Sequence, residues 1–192
     1  LGSSPNNLGL IPNATQGVNT VLRTYPLKAG DEVLVTNHGY NACNNAALFH
    51  AKQRGAKIQF AEIPFPIQSK SQVLEAVEKS ISPKTKLAII DHITSPTALV
   101  APIQDIVSLL NEKGIDTLID GAHAPGQLDI DLNALGAAYY TGNCHKWLCT
   151  PKGSAFLFVR EDKHQEVRPL AISHGANAPT HERSFFRNEF DW

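Results

Sequence analysis

The chain has 192 residues, of which 42% are hydrophobic and 18% charged, and its formal net charge is −1 at pH 7. That length buries one sizeable core, and the balanced charge, with no basic block, argues against nucleic acid or an anionic membrane surface as a partner. No apolar stretch reaches the length of a membrane-spanning helix, and no signal peptide opens the chain.

The cysteines and histidines give no sign of a disulfide framework or a metal site. Cys43, Cys144 and Cys149 are odd in number and lack the spacing of a zinc site, which suits a reducing cytoplasm. The eight histidines include no His-x-x-x-His pair. The chain starts at Leu1 and contains no methionine, so we expect a piece of a longer, cytoplasmic protein.

Apolar, β-branched runs alternate with helical patterns, which is typical of βα units and a mainly parallel sheet. The predicted helices lie at residues 15–25, 40–53, 71–81 and 103–113, with a short one at 132–135. The predicted strands lie at residues 32–36, 57–62, 86–91, 116–120, 138–141 and 154–159. Periodicity does not decide whether the last strand is antiparallel. We predict a three-layer α/β/α domain with a mainly parallel, mixed sheet over residues 1–165, and a loop over residues 166–192.

Ligands of open α/β sheets gather where strands end and helices begin. Polar side chains occur at five such places, residues 12–16, 36–40, 91–97, 120–124 and 141–146. They supply Asn13, Thr15, His38, Ser95, Asp120, His123, His145 and Lys146. These residues are the candidates for a functional site at one edge of the sheet.

Asp120 and Lys146 are the candidates for cofactor chemistry. A carboxylate at a buried strand end is costly unless it meets a cation, so Asp120 is either a helix N-cap or the partner of a protonated pyridine nitrogen. A lysine whose pKa is lowered by burial or nearby cations becomes a nucleophile that forms Schiff bases. Lys146 is either such a nucleophile or an ordinary surface lysine.

Thr15 and His38 each have two interpretations. Thr15 opens a predicted helix, where backbone N–H groups bind phosphate, but helix capping explains it equally well. His38 follows a strand and is either structural or, like Tyr40, able to lie flat on an aromatic cofactor. No glycine-rich phosphate loop and no Gly-x-Ser-x-Gly motif occurs, which disfavours a dinucleotide, a nucleoside triphosphate and a hydrolase triad.

Two motifs together resemble the class V aminotransferase family of fold-type I pyridoxal 5'-phosphate (PLP) enzymes. They are Asp120-Gly121-Ala122-His123-Ala124 and Gly142-Asn143-Cys144-His145-Lys146-Trp147. The likeness is closest to the isopenicillin N epimerase-like branch, through Pro12-Asn13-Ala14-Thr15-Gln16-Gly17-Val18-Asn19, Asn37-His38-Gly39-Tyr40 and Ile93-Thr94-Ser95-Pro96-Thr97. Members of the family are longer, so the resemblance implies an N-terminally incomplete large domain that leads towards an absent C-terminal small domain.

The resemblance implies that Lys146 and His38 are catalytic and contact the cofactor. Lys146 would form the Schiff base with PLP and move protons at the substrate α-carbon. Asp120 would bind the pyridinium nitrogen, and His123 the ring hydroxyl or its neighbourhood. His38 would stack on the ring, with Tyr40 as the second candidate.

The remaining candidates are assigned to the phosphate and to the ring hydroxyl. Ala14, Thr15 and His145 would bind the phosphate, Ala14 chiefly through its backbone amide. Asn143 stands where desulfurases usually have a phosphate-binding serine. Ser95 stands at a position near the ring hydroxyl that is often asparagine in the group.

The resemblance predicts a PLP-dependent enzyme that acts on an amino acid or a compound derived from one, in an epimerase-like or C–S lyase-like reaction. It also implies a homodimer, while the charge, the apolar run lengths and the histidine and cysteine spacing predict no nucleic acid, no membrane and no metal. Cysteine desulfurase is the second hypothesis, and a non-catalytic α/β binding module or a nucleotide-binding domain is the alternative of another class. The presence of both Lys146 and Asp120 argues against the binding module. An arginine for the substrate carboxylate, or a loop cysteine, would lie after Trp192.

Overall fold

The computed structural model describes residues 1–180 and 183–191; His181, Glu182 and Trp192 lie outside this part. The helices described are α1 (Ala14–Thr24), α2 (Asn41–Arg54), α3 (Lys70–Lys79), α4 (Ile103–Glu112), α5 (Leu132–Leu135) and α6 (Phe185–Asp191). The strands described are β1 (Leu8–Ile11), β2 (Glu32–Thr36), β3 (Lys57–Ala61), β4 (Thr85–Asp91), β5 (Asp116–Asp120), β6 (Tyr139–Asn143) and β7 (Ala155–Val159).

These strands form one sheet in the order β1-β7-β6-β5-β4-β2-β3. Strands β2 to β6 run parallel to one another, and β7 runs antiparallel to both of its neighbours, β6 and β1. The predicted mainly parallel, mixed sheet is confirmed, and the strand whose direction periodicity left open is antiparallel. Because β2, β4, β5 and β6 are parallel, their carboxyl ends meet at one edge of the sheet.

Helices cover both faces of the sheet, which confirms the three-layer α/β/α architecture. On one face, apolar side chains such as Val18, Ala47 and Phe186 of α1, α2 and α6 pack in one core. On the other face, a second core includes Val77 of α3 and Ile106 of α4. Burial on both sides explains the continuous apolar composition of the central strands.

Two elements differ from the prediction. Strand β1 was not predicted, because its four residues are too few to show an alternating pattern and one of them is Gly9. Helix α6 lies in the segment predicted as a loop, residues 166–192, so that prediction is wrong over Phe185–Asp191. The ring of Phe186 stacks on His164, with centroids 4.9 Å apart, and a Cβ at position 9 would meet the Phe190 ring at 2.7 Å. Helix α6 is therefore stabilised by long-range packing against β1 and the core.

Candidate functional site

The candidate site lies at the carboxyl ends of β4, β5 and β6. The parallel register aligns Asp91 of β4 with Asp120 of β5, and Asp120 with Thr141 of β6. The chain then leaves β6 at Asn143 and reaches Lys146 three residues later. The order of the strands therefore brings together polar residues that are far apart in the sequence.

Asp120 is buried, with 2% of its surface exposed. Its Oδ1 accepts the backbone N–H of Ala122 at 3.0 Å, and its Oδ2 accepts the thiol of Cys43 at 3.1 Å. Turns rather than a helix follow Asp120, so the N-cap interpretation is wrong. Within the described residues Asp120 forms no ion pair, which leaves a buried carboxylate held only by an amide and a weak thiol donor.

Asp91 places a second buried carboxylate beside Asp120. Its Oδ2 accepts the backbone N–H of Tyr40 at 3.1 Å. Burial and then the charge of Asp120 raise the pKa of Asp91 to about 8, while the amide of Tyr40 and the charge of Lys146 act in the opposite direction. Two neighbouring buried carboxylates favour a cationic ligand at this edge of the sheet.

Lys146 is half-buried, and its Nζ lies 3.0 Å from Nε2 of His123. Burial lowers the pKa of Lys146, while the carboxylates of Asp120 and Asp91 oppose the shift. Nδ1 of the same histidine accepts the indole N–H of Trp147 at 3.2 Å. Lys146 is therefore held in a polar cluster and is not a freely solvated surface lysine.

The amino end of α1 is connected to the end of β6 by one hydrogen bond. Oδ1 of Asn143, which is buried, accepts the backbone N–H of Ala14 at 2.8 Å. Asn13 caps the helix by accepting the N–H of Gln16 at 2.8 Å. Thr15 is the second residue of α1; its side chain is half-buried, and it is not the cap itself. The amide of Ala14 assigned to phosphate is thus already bound within the chain.

His145 lies in the segment that follows β6. Its Nδ1 lies 2.9 Å from the carbonyl oxygen of Ser154 and donates to it. Since that contact places the proton of a neutral ring on Nδ1, Nε2 is left as an acceptor, or as a second donor when the ring is charged. The side chain is half-buried and is oriented by Ser154, the residue before β7, next to the lysine in sequence.

The structure gives His38 and Tyr40 different surroundings. His38 is buried, with 7% of its surface exposed, and its two ring nitrogens lie 3.1 Å from Thr97 Oγ1 and 3.0 Å from the carbonyl oxygen of Ile63. Tyr40 has 42% of its surface exposed and lies at the start of α2, where its amide contacts Asp91. Ser95 lies exposed in the loop that the bridge between Ile93 and Val100 closes.

Three further residues of the cluster were not among the sequence-based candidates. Asp91 ends a strand in the same way as Asp120, so the strand-end rule could have identified it. Cys43 and Trp147 gave no comparable signal, because each acts through a contact made across the fold.

The described ranges, 1–180 and 183–191, contain neither a metal-binding cluster nor a membrane-spanning helix. No group of three or more histidine, cysteine, aspartate or glutamate side chains is placed to hold a metal ion there. No helix in those ranges is both long enough and apolar enough to cross a membrane.

Comparison with known proteins identifies relatives of this chain. The family model "Aminotransferase class-V" matches residues 3–188. The isopenicillin N epimerase of Amycolatopsis lactamdurans is 34% identical over 193 residues, which cover 99% of this chain and 48% of the epimerase. A putative L-cysteine desulfhydrase 1 of Oryza sativa subsp. japonica is 33% identical over 169 residues, which cover 81% of this chain and 35% of that protein. The chain thus spans about half the length, or less, of these curated relatives.

Solved structures of C-DES share the fold. The complex of this cystine C–S lyase with its reaction product, cysteine persulfide, matches with a TM-score of 0.83 and 25% identity, over 98% of this chain and 51% of C-DES. A C-DES mutant with glycine covalently linked to the PLP cofactor gives the same TM-score of 0.83 at 24% identity, over 98% of this chain and 51% of that one. The sheet and helices described above are therefore those of a known architecture.

Proposed function

We propose that this chain, which belongs to the class-V aminotransferase family, is the cofactor-binding part of a PLP-dependent enzyme that acts on an amino acid or a compound derived from one. One observation carries the proposal: the amine of Lys146 is held by His123 at the sheet edge where the buried carboxylates of Asp120 and Asp91 meet. The pair of carboxylates is suited to bind the protonated pyridine ring of PLP, and the lysine amine is suited to condense with the aldehyde of PLP.

Asp120 would hold the pyridinium nitrogen of PLP. Its two hydrogen bonds, to Ala122 and Cys43, fix the orientation of the carboxylate, and Asp91 lies beside it as a second carboxyl group that a bound cation would help to ionise. A cation bound there relieves the unfavourable proximity of two buried carboxylates. When bound, PLP supplies an electron sink for the negative charge that develops at the substrate α-carbon.

Lys146 would form the Schiff base and take and return the proton at the α-carbon. A base of this kind works best when its pKa is brought towards the working pH, and burial shifts the pKa of Lys146 in that direction. His123, which contacts the amine, would hydrogen-bond the ring hydroxyl or the atoms next to it.

The phosphate of PLP would lie between the start of α1 and the segment that follows β6. Thr15 and His145 are the side chains we assign to it, together with the amide of Ala14 and the side chain of Asn143. Because Asn143 and Ala14 bind each other at 2.8 Å, their contribution requires Asn143 to release that amide. A helix amino end supplies partial positive charge for such a group.

For the face of the ring we now favour Tyr40 over His38. Stacking requires a free ring face, and His38 has little exposed surface and is held through both ring nitrogens by Thr97 and Ile63 from two other loops. Tyr40 is exposed and is fixed beside Asp91 through its amide. Ser95 stays a prediction for the ring-hydroxyl region. Tyr40→Leu is therefore expected to weaken PLP binding more than His38→Leu does among variants that remain folded.

Borohydride trapping tests the cofactor assignment. The full-length protein that carries this chain is expected to absorb in the visible range with PLP and to lose that band on reduction, with the label on Lys146 in peptide maps. Lys146→Ala is expected to abolish the trapped label, whereas Lys152→Ala, an exposed lysine in the same segment, should keep it. A reducible link that survives in Lys146→Ala would contradict the assignment.

The reaction we propose is epimerase-like or C–S lyase-like, and both reactions begin with removal of the α-proton. Support comes from the relatives, one of which is named an isopenicillin N epimerase and another a putative L-cysteine desulfhydrase. Incubation in heavy water with a panel of amino acids and peptides separates the two reactions. Deuterium at the α-carbon with loss of optical purity indicates the first, and release of sulfide and pyruvate from cysteine indicates the second. A PLP-bound protein that does neither with any panel member would contradict both.

We further propose that the full-length protein is a cytoplasmic homodimer. Leu48 and Phe49 on α2 are both exposed, and large apolar side chains at the surface occur at subunit interfaces. The free Cys43, Cys144 and Cys149 support a reducing compartment. Light scattering on the PLP-bound protein should give twice the chain mass, and cell fractionation should recover the protein in the cytosol; a monomer or a secreted product would contradict the respective part.

A further inference from the structure

Trp147, His123 and Lys146 form a chain of hydrogen bonds whose proton positions can be worked out. The indole N–H of Trp147 lies 3.2 Å from Nδ1 of His123, and Nε2 of the same ring lies 3.0 Å from Nζ of Lys146. An indole nitrogen donates only, so Nδ1 must accept and carries no proton. The single proton of the neutral ring is then on Nε2, facing the lysine.

This arrangement also determines whether the side chain of Lys146 is a neutral amine or an ammonium group. An Nε2–H donor can bind the lone pair of a neutral amine, but it opposes an ammonium group, which has only donors. If the proton were on Nδ1 instead, Nε2 could accept from the ammonium group, but two donors would then face each other at Trp147. Both contacts exist together only when the Nε2–H tautomer meets the neutral amine.

We propose that Trp147 is a positioning residue, whose indole N–H holds His123 in the Nε2–H tautomer and so directs a hydrogen-bond donor at the amine of Lys146. The inference rests on the proposed function in one respect, that Lys146 is the residue that reacts with PLP. It deepens that function by assigning a role to a side chain that does not itself contact the reacting atoms. The neutral amine that it favours is the nucleophilic form of the lysine.

The backbone segments that carry His123 and Trp147 pack closely against each other. Gly126, with a φ of 89°, lies so close to Trp147 that a Cβ there would be 2.7 Å from its carbonyl carbon and oxygen. The side-chain amide of Gln127 donates to the carbonyl oxygen of His123 at 2.8 Å. The turn that carries His123 is thus packed directly against the segment that carries Trp147 and Lys146.

Burial favours the neutral form of both His123 and Lys146, while the acidic groups around the pair favour the charged forms. Burial and then the charge of Lys146 lower the pKa of His123, while Asp120 raises it. A neutral His123 is the form that can accept from the indole. Asp120 and Asp91 face the lysine from β5 and β4 and favour its charged form, and the neutral thiol of Cys43 faces it from α2. The donor from His123 opposes the two carboxylates.

The tautomer can be measured directly in the full-length protein. Nitrogen NMR of ¹⁵N-histidine in the PLP-free protein is expected to show His123 with a protonated Nε2 and an unprotonated Nδ1. In Trp147→Phe the Nδ1–H tautomer should appear, since Nε2 can then accept from the Lys146 ammonium group. Replacement of Trp147 by benzothienylalanine, which keeps the shape and substitutes sulfur for the N–H, should have the same effect. A native His123 protonated on Nδ1, or a benzothienylalanine variant that behaves like the native protein, would overturn the inference.

The pH profile of Schiff-base formation provides the second measurement. Loss of the indole N–H should raise the pKa of Lys146 and slow its reaction with PLP about tenfold near neutral pH. In a His123→Gln background, which has no ring tautomer, Trp147→Phe should change the rate by less than about twofold. An equally large effect in both backgrounds would show that Trp147 acts by packing alone and would overturn the inference. If PLP forms no link to Lys146, the proposed function fails while the NMR test still decides the tautomer; if the link forms and the tautomer does not respond, only this inference fails.

Discussion

Strand β5 has an aspartate at each end, and the two side chains have opposite surroundings. At the amino end, Asp116 forms an ion pair with Lys163 at 2.7 Å and accepts the hydroxyl of Tyr25 at 3.0 Å. At the carboxyl end, the partners of Asp120 among the described residues are the amide of Ala122 and the thiol of Cys43, and its strand neighbour is another aspartate.

The difference indicates which end of the strand is structural and which is functional. A partly buried carboxylate that is paired with a lysine and bound to a hydroxyl is satisfied within the chain. A buried carboxylate without a cation lowers stability, and a fold retains such a group where a ligand supplies the missing charge. The comparison therefore supports a cationic ligand at Asp120 and none at Asp116.

Asp120→Asn should have the largest effect on function. The amide keeps the size of the side chain and can still accept the N–H of Ala122, but it cannot hold a pyridinium ring protonated. We expect turnover by the full-length enzyme to fall about 100-fold or more, as is common when one preorganised electrostatic contact is lost. The free energy of unfolding of the PLP-free protein should stay equal or rise, because an uncompensated charge is removed. Near-native turnover in steady-state assays would refute the role assigned to Asp120.

Asp116→Asn should show the reverse pattern. Lys163 loses its partner, so the free energy of unfolding should fall by about 2 kcal/mol in urea titrations, while turnover by the folded enzyme is retained. Lys163→Met in the same chain should recover part of the loss, since the unpaired ammonium is then also removed. A drop in turnover as large as that of Asp120→Asn would remove the contrast between the two ends of β5.

Asp91 makes the contrast depend on pH. Its pKa is raised from the ordinary aspartate value to about 8, so the folded PLP-free protein holds a proton that the unfolded chain has lost. The stability that this group contributes is fully present below pH 4 and is lost as the pH rises to about 8. Asp91→Asn keeps an acceptor for the Tyr40 amide and should flatten this fall in urea titrations between pH 5 and pH 9.

The lowered pKa of Lys146 contributes a slope of the opposite sign at higher pH, because the unfolded chain then binds the extra proton. Subtracting the stability profile of Asp91→Asn from that of the native protein removes the contribution of Lys146 to first order. Bound PLP should make the pH profiles of the two proteins more alike, since a cation at Asp120 stabilises the charged form of Asp91. Identical pH profiles for both PLP-free proteins would contradict the coupling of the two carboxylates.

The sequence predicts the elements whose signals are local. Strands β4 and β5 are apolar on both faces and end at Asp91 and Asp120, so their pattern indicates both a buried parallel sheet and the edge that carries the site. Strand β1 and helix α6 are stabilised by each other and by β7, and contacts between distant segments leave no local pattern.

The same distinction applies within the site. Lys146 could be identified from its motif, but its partner His123 is 23 positions away, and only the fold shows that the two touch. The family resemblance favours His38 for the ring face, and sequence alone does not reveal that Thr97 and Ile63 already occupy both of its nitrogens. Side-chain orientation is the information that the pattern of residue types lacks.

Cys43 gives the smallest predicted effect and tests how Asp120 is held. The thiol reaches Asp120 from α2 across 77 positions of sequence, and burial and then the adjacent carboxylate raise the pKa of the thiol, so that it stays a donor. Cys43→Ser keeps a donor at this place, whereas Cys43→Ala removes it. We expect the alanine variant of the PLP-free protein to be about 1 kcal/mol less stable than the serine variant in urea titrations, since Asp120 then lacks one of its two hydrogen bonds. If alanine were as stable as serine, Cys43 would act through packing alone, and the carboxylate would be oriented by the amide of Ala122.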